Sequence, residues 1–312
     1  MIDFSIFYSE QNPTITDKSY DFFISADDEC DRTQNSFGEA IAKRKIFIRF
    51  PQQEYSTPND TCYTNCEVQE DKYIQLLCKD LNILKNSKMC IDCTGFIIPH
   101  LLYLLGYLYR LEINEIDIIY NEPDQYRDKE NTIFSKTITS PIPIKGFEAI
   151  ASDIRGEEIL IIETGFQTEL IREVVRSKSK AAERHCIIGF PSLHADMYQH
   201  SLIQLNKAKN NIGSTRVEYH KAPAYDPFIS ANKIIEIIKA NRQYKNNIFH
   251  ISPLSTKPQA IGAALSYLLL NEKYPIDIIY PHSETYYSMN TIGTHRRWRY
   301  TIEFDPIRRN ND

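Results

Sequence analysis

Glycine is scarce in this chain, with 10 in 312 residues, and that scarcity already excludes several chemistries. There is no G-x-G-x-x-G turn and no Walker A lysine loop, so ordinary dinucleotide and P-loop chemistry lose their usual signatures. No G-x-S-x-G elbow is present to support a serine nucleophile. A net charge of −5 argues against a protein whose main task is to coat duplex nucleic acid or an anionic membrane. The first residues, MIDFSIFYSEQNPT, lack a cationic segment followed by an apolar one, so no secretory signal is expected. The longest apolar run, 96–111, is interrupted by Pro99, His100 and Arg110 and is shorter than the ~18 residues a spanning helix needs. It reads as a buried helix, and no membrane partner is expected. Seven cysteines, an odd number, suit reduced thiols in a cytoplasmic protein better than a disulfide framework.

What the chain does have is an internal repeat. The pentapeptide IDIIY begins at Ile116 and again at Ile276, and both segments close on a tyrosine at the same spacing, Tyr126 and Tyr286. Upstream of each lies a polar turn, a proline (Pro99, Pro258) and a long apolar helix, preceded by a strand-like run at 89–92 or 248–251. A weaker match pairs 22–55 with 160–198: strand, polar loop, helix, strand, then Phe-Pro and Tyr. Continuous apolar strands such as IDII, ILII and CIIG are those of a parallel sheet covered on both faces. The fold expected is therefore α/β: two tandem Rossmann-like halves, related by duplication, with mainly parallel sheets. They divide as 1–153 and 154–312, with the boundary near 150–156.

In open α/β sheets ligands sit beyond the carboxyl ends of the strands, against helix N-termini whose unpaired N–H groups favour anions. The rule selects the turns at 25–32, 94–100, 120–126, 164–169, 252–257 and 280–286. The segment SPLSTKP (252–258) is the most phosphate-like, with Ser255, Thr256 and Lys257 before a helix-starting proline; the plainer alternative is an N-cap beside a solvated lysine. Its counterpart CTGFIIP supplies Thr94 and Gly95, and the turn TGFQ supplies Gly165. Tyr120, Tyr126, Tyr280 and Tyr286 recur at strand ends, where they could stack on a base or simply pack. Should the protein be an enzyme, Glu148, Glu169 and Asp196 are the acid–base candidates, with Glu122, His194 and His200 near them in rank. The loop SADDECDR reads as an acidic helix start or a ribose or metal ligand, and HRRWRY (295–300) as a phosphate clamp or a charged strand. Cys90 and Cys93 lie along a strand, and Cys62 and Cys66 have no second ligand pair, so no metal is expected. No cofactor is indicated.

The segments DFFISADDECDR, CIDCTGFIIPHLLYLL, DIIYNEP, TGFQTELI, GFPSLHADMYQ, APAYDPFISA and SPLSTKPQA together resemble a bacterial family spread over the whole chain. The resemblance carries a plan and no activity. That plan is similar to the CRISPR-associated Rossmann-fold sensors and their double-headed relatives in antiviral signalling, which bind cyclic or short oligonucleotides on the strand-end edge of paired Rossmann units. None of their ligand residues is matched here. The resemblance implies binding of a nucleotide or small phosphorylated ligand in a cleft between the halves, in a regulatory or antiviral-defence role. Two alternatives fit the same residues: a hydrolase or glycosidase acting on a nucleotide through paired carboxylates, and a scaffold subunit, homo-oligomeric or part of a complex, with its apolar helix covered by a partner.

Overall fold

A computed structural model describes residues 2–127, 135–150, 156–194, 197–209, 216–241, 247–288 and 290–310. The chain opens with β1 (Tyr8–Gln11), β2 (Tyr20–Ala26), α1 (Asp31–Glu39), β3 (Ala42–Ile48) and a short β4 (Gln53–Glu54). It continues through α2 (Glu70–Leu81), β5 (Met89–Asp92), α3 (Ile98–Arg110) and the long β6 (Glu115–Tyr126). After β7 (Ser135–Ile138) and β8 (Ile142–Pro143) come β9 (Glu158–Thr164), α4 (Thr168–Ser177), β10 (Glu183–Gly189) and α5 (Met197–Lys209). Then follow β11 (Arg216–Ala222), α6 (Pro227–Ala240), β12 (Ile248–Pro253), α7 (Lys257–Leu270) and β13 (Ile276–Tyr280). The last elements are β14 (Ser283–Tyr287), β15 (Thr291–Glu303) and α8 (Phe304–Arg309).

These elements form a mixed α/β protein, mostly of parallel sheet, in two compact units that are discontinuous in sequence. The N-terminal unit is Phe7–Thr137 with Glu284–Pro306, and the C-terminal unit is Ile138–Ser283 with Met1–Ile6 and Ile307–Asp312. The expected boundary at 153/154 lies outside the described residues.

The N-terminal unit holds a six-stranded sheet in the order β1-β15-β6-β5-β2-β3. Strands β3, β2, β5 and β6 run parallel, and β15 is antiparallel to β6. The C-terminal unit holds a second six-stranded sheet, β11-β10-β9-β12-β13-β8. Here β11, β10, β9, β12 and β13 run parallel, and β8 is antiparallel to β13. Each sheet therefore reverses its strand order between two central neighbours, β2/β5 and β9/β12, and each flanks its IDIIY strand, β6 or β13, with one antiparallel strand. A small sheet of order β4-β14-β7 completes the described strands.

The buried strands explain the continuous apolar runs. All four residues of β5 and all five of β13 are buried, as covering on both faces requires. The apolar run at 96–111 forms α3, whose residues from Pro99 to Gly106 are all buried. Every residue of α7 from Pro258 to Leu270 is buried as well, as expected of a helix apolar on all sides. Helix α6 starts where Pro227 follows Asp226, whose carboxylate accepts from the N–H groups of Phe228 and Ile229. One expected turn is absent: residues 120–126 continue β6, because β15 stays hydrogen-bonded along it as far as the Tyr126–Thr291 pair.

At each strand-order reversal the two central loops touch. A Cβ on Gly95, after β5, would lie 2.1 Å from the Ala26 carbonyl oxygen, and one on Gly165, after β9, would lie 1.8 Å from that of Leu254. Only glycine allows backbones this close. Gly165→Ala is expected to lose about 1–3 kcal/mol or more of stability by urea denaturation. Gly38→Ala, in α1 with nothing within 4 Å of its Cβ, is expected to be neutral or to gain up to about 1 kcal/mol.

Candidate functional site

In the C-terminal unit the carboxyl ends of β9 and β12 bring together two of the turns singled out in the sequence. The Gly165 turn lies against Leu254 and Ser255, its Cβ position 3.4 Å from the Ser255 Cα. The turn is fixed by a hydrogen bond from the Leu254 N–H to the Glu163 carbonyl, 3.0 Å. Ser255, Thr256 and Lys257 are half-buried and lead into α7. Thr256 is the N-cap: its Oγ1 accepts from the Gln259 N–H at 3.4 Å and donates to the Ala224 carbonyl. The N-terminus of a 14-residue helix thus opens at the reversal of strand order, where α/β proteins collect anionic ligands.

Beside it is a residue whose importance the sequence pattern hid. Glu163, which follows the four apolar residues 159–162 of β9, is fully buried. Its Oε1 accepts from the Ser230 hydroxyl of α6, and its Oε2 has no partner among the described residues. Burial pushes this carboxyl up to about 8, against the opposing pull of the Ser230 hydrogen bond. At neutral pH it is a protonated acid, a donor that does not repel an anion. The Ser252 hydroxyl and the Gln259 Oε1 are likewise buried without a partner among the described residues. A glutamate directly before T-G in the apolar run EILIIE was the available signal.

The corresponding edge of the N-terminal unit is closed by its own ion pairs. Asp27, at the end of β2, meets Arg49 at 2.7 Å, and Asp28 accepts from the Thr33 hydroxyl at 2.7 Å and lies 3.5 Å from Arg32. Thr94 is spent on β6: its Oγ1 accepts from the Asn121 N–H at 3.0 Å and from the Asn121 side-chain amide at 3.1 Å. Asp92 accepts from the Thr94 N–H and the Asn121 amide, and burial pushes its carboxyl up to about 6 although the Thr94 hydrogen bonds pull it down. Arg32 donates to the Asn121 carbonyl at 2.6 Å. The acidic loop at 25–32 is therefore a packed part of the fold rather than an exposed helix start.

The remaining nominated residues are dispersed. Tyr120 and Tyr280 are buried in strands, Tyr126 ends β6, and Tyr286 sits in β14 opposite Gln53. Glu148 and Glu169 are exposed, Glu169 facing Arg172 at 3.9 Å. Asp196 lies outside the described residues. Glu122 is buried and occupied, accepting from Arg296 at 2.7 Å and from the Trp298 indole at 2.6 Å. The HRRWRY segment is strand β15, its arginines paired with Glu122, Glu39, Glu10 and Asp17. The cysteines described are free thiols.

No family model matches this chain, and no curated protein matches it. Among the described residues no helix is long and apolar enough to cross a membrane. One group of side chains among them is placed to share a metal ion, and it lies on β10 and β11.

The Glu163 carboxyl gives a pH signature. Its folded pKa, near 8, exceeds the ordinary glutamate value of 4.5, so the folded state holds its proton longer than the unfolded state. The stabilisation is complete below about pH 4.5 and is lost as pH rises towards about 8, by an amount on the order of a few kcal/mol. Urea midpoints of wild type and Glu163→Gln across this range should diverge, wild type falling more steeply with pH. Parallel profiles would contradict a buried, protonated Glu163.

Proposed function

We propose that this protein binds a nucleotide or a small phosphorylated ligand at the carboxyl edge of its C-terminal sheet. The observation that carries the reading is the meeting of the Gly165 turn with the Ser255–Thr256–Lys257 turn at the β9/β12 reversal. The anion would lie at the N-terminus of α7, taken by backbone N–H groups, the Ser255 hydroxyl and the Lys257 ammonium. Thr256 shapes this turn by capping, and protonated Glu163 keeps a negative charge from opposing the ligand.

The strand orders support a common origin for the two Rossmann-like halves. Each half also has its IDIIY strand flanked by a strand from the other half of the sequence, β15 beside β6 and β8 beside β13. We read this as duplication followed by reciprocal exchange of the closing strands. The edges have then diverged, the N-terminal one filled by Asp27–Arg49 and Asp28–Arg32, the C-terminal one retaining the anion-seeking turn. The likeness of plan to the CRISPR-associated Rossmann-fold sensors supports a regulatory or antiviral-defence role for the bound nucleotide.

Calorimetry against a panel of mononucleotides and short cyclic or linear oligonucleotides tests the reading. Saturable binding is expected for at least one phosphorylated member, weakened about tenfold or more in Lys257→Ala, the loss of one charge-assisted contact. Absence of binding across the panel, or unchanged affinity in Lys257→Ala, would refute the assignment.

A further inference from the structure

Strands β10 and β11 each carry the pattern Glu-x-His: Glu183-x-His185 and Glu218-x-His220. Alternate residues of a strand share a face. The parallel register sets His185 directly beside Glu218 and Glu183 beside Arg216, with His220 one step further on the same face. Three ligand atoms converge there. His185 Nδ1 lies 3.0 Å from His220 Nε2 and 3.6 Å from Glu218 Oε2, and His220 Nε2 lies 3.9 Å from that oxygen.

We propose that His185, Glu218 and His220 bind a single divalent transition-metal ion of the zinc class. A point equidistant from the three atoms lies about 2.1 Å from each, the length of a zinc–nitrogen or zinc–carboxylate bond. Two imidazoles and one carboxylate select zinc, cobalt or nickel over calcium and magnesium, which prefer all-oxygen shells. Three protein ligands leave a fourth tetrahedral position for a solvent or ligand oxygen. His185 is buried, whereas Glu218 and His220 are half-buried on β11, an edge strand, which gives the ion a path from solvent.

The surroundings orient these ligands as metal sites require. Arg216 holds Glu218 through Oε1 and Glu183 through Oε1, the latter at 3.1 Å, which turns the other oxygen of each carboxylate towards His185. Glu183 Oε2 lies 3.5 Å from His185 Nε2, as in a carboxylate–histidine–metal arrangement. The Asn241 side-chain amide lies 3.2 Å from the same His185 Nε2. With Nδ1 on the metal, the proton of a neutral His185 ring would sit on Nε2, facing Glu183 Oε2. From α6, Lys233 and Glu236 act on His220 but pair with each other.

The test is titration of the untagged, chelator-stripped full chain with Co²⁺, followed by visible absorption, and with Zn²⁺ in competition. One saturable Co²⁺ per chain is expected, with the intense d–d bands of four-coordinate cobalt and displacement by Zn²⁺. His220→Ala and Glu218→Gln should each weaken binding at least tenfold, while His200→Ala, on α5, binds as wild type. Circular dichroism checks folding, and if His220→Ala is misfolded the half-exposed Glu218→Gln variant decides. No saturable site in wild type, or wild-type affinity in folded Glu218→Gln, would overturn the proposal.

Discussion

A carboxyl group withdrawn from water must acquire a partner or keep its proton. That constraint governs what the two sheets do with their carboxyl ends. In the N-terminal unit Asp27 and Asp28 are buried against Arg49 and Arg32, and Asp92 is held by Thr94 and Asn121. Breaking a buried pair of this kind typically costs about 3–5 kcal/mol, because the remaining charge is stranded. The charges at this edge are consequently paired, although the Ser25 hydroxyl and the Arg32 Nε are buried without a partner among the described residues. At the carboxyl edge of the C-terminal sheet the fully buried acid is Glu163, which has a serine for a neighbour instead of an arginine. It meets the constraint by protonation and leaves the adjoining turn free of negative charge.

Connectivity imposes a second constraint. The described strand beside β6 comes from residues 291–303 and packs Trp298, Tyr300 and Ile302 into the N-terminal unit. The strand beside β13 comes from residues 142–143. Neither half of the sequence can complete its sheet alone. This accounts for the length of β15, 13 residues against the 4 of β5, and of the two readings of the HRRWRY arginines, phosphate clamp or charged strand, it fits the strand. Arg296, Arg297 and Arg299 neutralise Glu122, Glu39, Glu10 and Asp17.

Much of the architecture was legible in the residues. The IDIIY pair marked β6 and β13, the apolar run at 96–111 marked α3, and Pro258 marked the start of α7. Local pattern sufficed there because strand burial and helix initiation are encoded within a few residues. The acidic loop at 25–32 and the turn expected at 120–126 were misjudged, because both depend on partners far along the chain: Asp27 on Arg49, and Tyr126 on Thr291. The Glu-x-His pair escaped for the same reason. Its meaning lies in the parallel register that sets His185 beside Glu218, and that register is invisible in either strand alone. Glu163 was readable as an odd residue in an apolar strand, but its lack of a cationic partner only emerges once α6 is packed over it.

On the proposed reading a ligand binds at the β9/β12 turn and leaves the N-terminal edge untouched. Hydrogen exchange read by mass spectrometry, with and without a saturating nucleotide, addresses it most directly. Slowed exchange is expected only in peptides covering 164–168 and 254–260. Slowed exchange at 25–32 and 93–97, with 254–260 unchanged, would contradict it.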